Sequence, residues 1–559
     1  MRTESNGGFQ QSTVYQIYPK SFLDSTGSGV GDLRGVIRKI PYIASLGVDM
    51  VWFNPFFASP QADNGYDISD YYRIDPEMGT MADFEELVAG LRAEGIDVML
   101  DMVLNHTSTE HEWFQRALAG EDEYRDFYFV RPAGEDGGPP NNWVSKFGGA
   151  AWDRFGDTDE YYLHLFDRTQ ADLNWHNPRV RSEMAKIVEF WRLKGVRGFR
   201  FDVINLISKP VDLPSAPEGA DDRYMYTDGE LVTTFLRELA EASYGKDAGC
   251  VTVGEMSSTS IERCVEYSHP ESGALSMVFN FHHLKVDYID GKKWSVGRFE
   301  LDELRRVLME WADGMQAGGG WNALFWNNHD QPRALNRFGD AGRFRVESAM
   351  MHATLLHLFR GTPYVYMGEE IGMTDPEYTS IDDYVDVEAI NAHTALVGTG
   401  LSDEDALQIV RAKARDNART PMQWEPGPTA GFTSGTPWLR PTNAELINVA
   451  AEERNGRILP YYRRLIELRK AHPVISHGEI AGYSPEHPHV FAYERTLGET
   501  RLLVLANFLD SPTRIDVPAE FTSGRVLIST IDRAAAPSSP DVELAPYEAL
   551  AILLEPSES

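Results

Sequence analysis

Cysteine is nearly missing from this chain: two residues in 559, Cys250 and Cys264. That excludes a disulfide framework and suits a reducing compartment, so a cytoplasmic location is expected. Long hydrophobic runs are missing too. No stretch approaches the roughly 20 apolar residues of a membrane span. The start, MRTESNGGFQQ, has no basic segment followed by an apolar one, so no secretory signal is expected. Positive charge is scarce: 52 Lys and Arg stand against 85 Asp and Glu, a formal charge of −33. Such a field repels nucleic acid and anionic lipid and leaves a small, neutral ligand as the natural partner. Solenoid repeats and low-complexity tracts are absent as well.

What is present is a helix followed by a short apolar strand, again and again. In TMADFEELVAGLRAEGIDVMLDMVLNH, Phe84, Leu87, Val88 and Leu91 share one helical face. Thr80 with Asp83 starts that helix and Gly95 stops it, ahead of a strand at 96–103. VRSEMAKIVEFWRLKGVRGFRFDV repeats the design: Met184, Ile187, Val188 and Trp191 form the stripe, Gly195 the stop, and 196–203 the strand. Further strands are expected at STVYQIYP, VDMVWFNP, CVTVGE, LSMVFNF, ALFWNN and TPYVYMG. Eight strands joined by helical crossovers predict an α/β fold, a closed (β/α)8 TIM barrel, which leaves no open edge. The barrel takes 1–106 and 175–475. A Gly-, Pro- and Trp-rich excursion at 107–174 forms a small insertion domain after the third strand. Alternating segments such as HVFAYERT and TRLLVLANF make 476–559 an all-β sandwich domain. A further insertion near 374–425 is acidic and partly helical.

In such a barrel, the C-terminal strand ends carry the active site. Three acids stand there: Asp202 in GFRFDV, Glu255 in VTVGEM and Asp330 in FWNNHDQPR. Two carboxyls flanking one bond are what glycosidic cleavage requires, one to attack and one to protonate the leaving oxygen. The third can hydrogen-bond the flattening sugar. Singly, each acid would pass for a cap or loop carboxylate. Together with His106, His329 and Arg200 at matching strand ends they point to a site. Arg200 lies two residues before Asp202, on the same strand face, where it can keep that acid ionised.

QIYPKSF, DNGYDISDYY, DMVLNHTS, GFRFDVINLISK, GEMSSTS and NNHDQPR resemble, in order, the motifs of the α-amylase superfamily, in its oligo-1,6-glucosidase-like branch. The resemblance spans nearly the whole chain. It implies retention through a covalent glucosyl-enzyme, with Asp202 as nucleophile, Glu255 as acid/base and Asp330 as transition-state stabiliser. It implies that Tyr66, Asp67, His106, Arg200 and His329 hold the non-reducing glucose. Arg415, in ARDNARTPMQW, matches the arginine that grips the terminal 4-hydroxyl together with an acid, taken as Asp67; Arg419 is its rival. That grip implies exo action. Val203, directly after Asp202, is similar to members that do not act on α-1,4 links.

FNFHHLKVDYIDGKKW is a basic island in an acidic chain. With STGSGVGDLRG, NNWVSKFGG, GEMSSTSIERC and GGGWNALFWNNHDQPR, it resembles the trehalose-6-phosphate hydrolases within the branch. A sugar phosphate carries nearly two negative charges and needs local counter-charge. Lys285, Lys292 and Lys293, with His282 and His283, follow the sixth strand and could provide it, and Lys146 could reach in from the excursion. The competing reading is a solvated hairpin whose lysines offset Asp287 and Asp290, with the turn at Asp290-Gly291 expected either way. A calcium loop of related 1,6-glucosidases corresponds to DSTGSGVGD, where Asp24 and Asp32 remain but Thr26 and Ser28 stand between them. Two carboxylates with hydroxyls are a poor set for a hard cation, so no metal and no cofactor is expected. The alternatives to a sugar-phosphate hydrolase are an oligo-1,6-glucosidase, a sucrose isomerase or other transglucosylase, and a non-catalytic barrel.

Overall fold

A computed structural model describes residues 8–531, 533 and 535–556. Eight parallel strands form the centre: β1 (Val14–Ile17), β2 (Met50–Phe53), β3 (Asp97–Val103), β4 (Gly198–Asp202), β5 (Val251–Glu255), β6 (Met277–Phe279), β7 (Ala323–Leu324) and β8 (Thr362–Tyr366). They hydrogen-bond in the order β6-β5-β4-β3-β2-β1-β8-β7. One parallel bridge, Val278 to Asn322, joins β6 to the approach of β7 and closes the cylinder. All eight expected strands are there. The runs were readable because parallel strands buried on both faces are continuously apolar.

The crossover helices follow their sequence signals. Thr80 and Asp83 form a reciprocal capping box on the helix Met81–Ala93. A cap of this kind is worth about 1 kcal/mol. Phe84, Leu87, Val88 and Leu91 are its buried stripe, and Gly95 takes the positive φ that stops it. The helix Pro178–Leu193 buries Met184, Ile187, Val188 and Trp191 and delivers the chain into β4.

Between β3 and the helix that starts at Pro178, the excursion builds its own small sheet. Val130–Pro132 and Trp152–Arg154 flank Glu160–Leu163, and a ribbon of His106–Ser108 with Gln170–Asp172 ties it to the barrel mouth. After the barrel, a five-stranded antiparallel sheet (Glu479–Tyr483, Val490–Leu497, Thr500–Asn507, Ala549–Leu554, Arg525–Ser529) is covered by the ribbon Thr513–Asp516 with Asp541–Leu544. Two of its inner strands, Val490–Leu497 and Thr500–Asn507, are buried on both faces. Phe491, Tyr493, Leu502 and Val504 join the barrel's core, while Val490, Ala492, Leu503 and Leu505 pack under the ribbon. The helix Arg345–Leu358 lies between barrel and sheet, which is why it is buried all round from Ser348 to Leu358. The Tyr493 hydroxyl and Arg495 guanidinium donate to its last carbonyls, Leu355 and Leu358. Among the described residues, no helix is long and apolar enough to cross a membrane.

Candidate active site

The site is organised around one buried cation. Arg200 projects inward from β4, and its partner across the ladder is Asp101 on β3. Its Nη1 donates to Asp101 Oδ1 at 2.7 Å and to Asp202 Oδ1 at 2.5 Å, and its Nη2 donates to Glu255. A fully buried guanidinium needs anions around it, and three strands each contribute one. Asp202 and Glu255 therefore face the same space, from the adjacent ends of β4 and β5. Burial pushes the Glu255 carboxyl well above its ordinary range. Arg200 opposes that shift, while the charges of Asp202 and Asp330 and a hydrogen bond to Asp202 reinforce it. Glu255 thus holds a proton in the same site as the ionised Asp330, the separation of roles that acid-assisted displacement uses.

Asp330 is held the other way. Burial would raise its pKa, but His329 and the guanidiniums of Arg415 and Arg419 outweigh burial and keep it well below the usual carboxylate range. Arg419 Nη2 lies 2.8 Å from Asp330, and His329 Nε2 lies 3.1 Å from it. Gln16 Nε2 meets His329 Nδ1 at 2.9 Å, and an amide NH2 has only hydrogens to give. Nδ1 must accept, so the ring proton sits on Nε2, which meets the Tyr66 hydroxyl at 2.6 Å and stands 3.1 Å from Asp330. Burial pushes this imidazole down to about 4, which keeps it neutral. Tyr66 stacks flat on His329, and its hydroxyl donates to Asp101 at 2.9 Å.

Directly after Asp202, Val203 has φ +36, a left-handed backbone that a β-branched residue adopts only under strain. The turn it makes carries Val203 into the cleft wall. That cleft encloses about 1030 Å3 of empty space, part of it open to solvent. Asp202, Glu255, Asp330, Tyr66, His106 and Arg415 line its inner end; Lys146, Lys285 and Lys293 line the outer. Lys146 comes from the excursion and donates to Ser257 Oγ at 3.0 Å, close beyond Glu255. Burial lowers it to about 8, with Arg223 and Lys285 adding to the effect. Lys285 is lowered as well, by burial and then by Arg223.

Several expected residues lie elsewhere. Asp67 does not reach Arg415. Its oxygens accept from Ser59 Oγ and from the backbone N–H groups of Ala62 and Asp63, so it pins the loop rather than the ligand. The acid that meets Arg415 is Asp63, at 2.9 Å, three residues before Tyr66 in the same motif. Arg415 also bonds Asp386 and stands 3.5 Å from Asp330, whereas Arg419 lies behind Asp330 and lines no part of the cleft. His283 is buried with Nε2 on the Phe325 carbonyl, and burial pushes it to about 3. His282 packs with its ring tilted against Trp311 and falls to about 4, again by burial. Both are neutral rings in apolar packing and supply no positive charge. Lys292 is exposed: the turn Asp290-Gly291, with φ of 51 and 70, pairs Ile289 with Lys292. Successive residues of a hairpin point opposite ways, so only Lys293 turns inward.

Asp101, Asp63, Asp386 and Glu388 were missed. A lone acid inside the apolar run DVMLDMV was the available signal for Asp101, because burying it demands a cation. Asp63 stood in a motif already singled out. Asp386, which Arg415 bonds, and Glu388, which lines the cleft, open the helix Val387–Gly398 of the insertion, where nothing in the sequence marks them. In the loop DSTGSGVGD, Asp24 accepts from Thr26, Gly27, Gly29 and Thr433, and Asp32 from Ser25 and Gly35, so hydrogen-bond donors occupy both carboxylates.

Residues 16–478 match the family model described as alpha amylase, catalytic domain. The chain belongs to the α-amylase family. Residues 483–550 match a second model, the maltogenic amylase C-terminal domain. The chain is 46% identical over 561 residues to a trehalose-6-phosphate hydrolase of Bacillus subtilis, covering 98% of this chain and 99% of that one. It is 43% identical to an oligo-1,6-glucosidase of Parageobacillus thermoglucosidasius, covering 97% and 98%. The crystal structure of Bacillus licheniformis trehalose-6-phosphate hydrolase superposes with a TM-score of 0.93 at 46% identity, over 99% of this chain and 100% of that one. This α-amylase-family chain is accordingly a glycoside hydrolase.

Proposed function

We propose that this enzyme is an exo-acting, retaining α-glucosidase that hydrolyses trehalose 6-phosphate to glucose and glucose 6-phosphate. One observation carries the choice of substrate: three lysine ammoniums, one from the excursion and two from the stretch after β6, line the same cleft as Glu255 in a protein of charge −33. A neutral disaccharide gives no reason to collect cations there; a phosphate dianion does.

The terminal glucose sits at the inner end, with Asp63 and Arg415 at its 4-hydroxyl and Tyr66, stacked on His329, beneath the ring. Asp202 attacks the anomeric carbon as the C–O bond breaks, and Glu255 gives its proton to the departing oxygen of glucose 6-phosphate. Glu255, now ionised, takes a proton from water. That water attacks the same carbon, Asp202 leaves, and Glu255 is reprotonated. Two inversions return the α-anomer. The second reading, an oligo-1,6-glucosidase, is favoured by one contact: Lys293 is already paired with Glu388, which reduces the free positive charge.

Trehalose 6-phosphate and isomaltose assayed side by side decide between them, with the first-formed glucose anomer followed by NMR. Faster turnover of isomaltose overturns the phosphate reading, and release of β-glucose overturns the double displacement.

A further inference from the structure

The three cleft lysines are not equivalent. Lys146 and Lys285 make no ion pair among the described residues. Lys293 is clamped, with its Nζ at 2.7 Å from both oxygens of Glu388. That contact is sheltered, because the Glu388 side chain is only 10% exposed. Glu388 lies in the first turn of the helix Val387–Gly398, whose N-cap is Asp386. Asp386 in turn is bound by Arg415, so the backbone under Glu388 is fixed while its carboxylate has a choice of cations. The second cation is already near: Arg415 Nε stands 3.4 Å from Glu388 Oε2.

We infer that Glu388 is an internal counter-ion that occupies Lys293 in the free enzyme and yields it to the phosphate group, turning to Arg415 as it does so. Glu388 is thereby a specificity-determining residue. A ligand without a phosphate finds Lys293 neutralised and only two free ammoniums. A phosphate dianion gathers three, and its arrival directs the Glu388 carboxylate toward the neighbouring Arg415. The affinity gained from Lys293 is reduced by the cost of breaking its pair with Glu388, so removal of the carboxylate tightens anion binding. The inference rests on the trehalose 6-phosphate reading given above.

The test is titration calorimetry of glucose 6-phosphate with the full chain and three variants: Glu388→Gln, Lys293→Met and the double variant. Freeing a half-buried ammonium from its partner is worth about a factor of five to ten in affinity. Glu388→Gln is expected to bind glucose 6-phosphate about fivefold to tenfold more tightly than the unaltered protein. In the Lys293→Met background, the same change is expected to do nothing, because there is no ammonium left to release. Unchanged or weaker binding in Glu388→Gln overturns the exchange. A tightening that persists without Lys293 overturns it too, since it would report only a less negative cleft. Thermal melting of each variant separates lost binding from lost fold. If the unaltered protein binds no glucose 6-phosphate and turns over no trehalose 6-phosphate, the substrate reading itself has failed. Failure of the exchange alone leaves that turnover intact.

Discussion

The two ends of the cleft are built on opposite plans. At the inner end the polar groups are committed: Arg200 to three acids, the neutral His329 to Gln16 and Tyr66, Arg415 to Asp63 and Asp386. Most of these side chains stand on or just beyond strand ends of a packed cylinder, where neighbours fix their rotamers. At the outer end the cations come from the excursion and from the segment after β6, and two of the three have no anionic partner among the described residues. Chemistry needs atoms held in place before the substrate arrives, because reorganisation at the moment of reaction raises the barrier. Recognition of a phosphate needs charge left unsatisfied until it arrives.

The strongest way to break this contrast is at its inner end. Asp202→Asn is expected to lower kcat by about 10^4-fold or more with the melting temperature barely changed; near-normal turnover would remove Asp202 as the nucleophile. Glu255→Gln should cost about 10^2–10^4-fold on trehalose 6-phosphate. Its loss should be much smaller in the first step of an aryl glucoside whose leaving group needs no proton, and equal losses on both would dismiss Glu255 as the acid.

The outer end should answer differently. Lys285→Ala is expected to raise KM for trehalose 6-phosphate by about tenfold and to move kcat little, whereas an equal fall in kcat would place Lys285 in the chemistry. pH sharpens the same point. Lys146, lowered to about 8 by burial, is charged below that value and neutral above it, so affinity for the phosphate should fall as pH rises through 8 in the free enzyme. The Lys146→Arg variant should keep its affinity across that range, as guanidinium does not titrate there. Glu255 is likewise protonated below its raised pKa, so kcat/KM for the native enzyme should fall on the alkaline side. The smallest effect belongs to Lys292→Ala, expected within about twofold on every substrate because the side chain is in water.

The strands, the capping box on Met81–Ala93 and the positions of Asp202, Glu255 and Asp330 were all legible in the sequence, because each depends on local pattern. Apolar runs mark buried strands, and an acid closing such a run has nowhere to go but the barrel mouth. The outer end was legible only as a cluster of basic letters. Two histidines in that cluster turned out to be packing rings, and one lysine of an adjacent pair points away. Burial and hairpin parity settle those matters, and neither can be read from composition.

Sequence by itself thus determined the cylinder, the three carboxyls on its rim and an excess of positive residues after the sixth strand, since periodicity and strand-end position are properties of neighbouring residues. Only the tertiary structure decided that Asp63 rather than Asp67 meets Arg415, that Asp101 completes the cage around Arg200, and that Glu388 holds Lys293. Each of those contacts joins segments far apart in the chain. Their partners are selected by distance and shelter from water, which appear only once the chain has closed on itself.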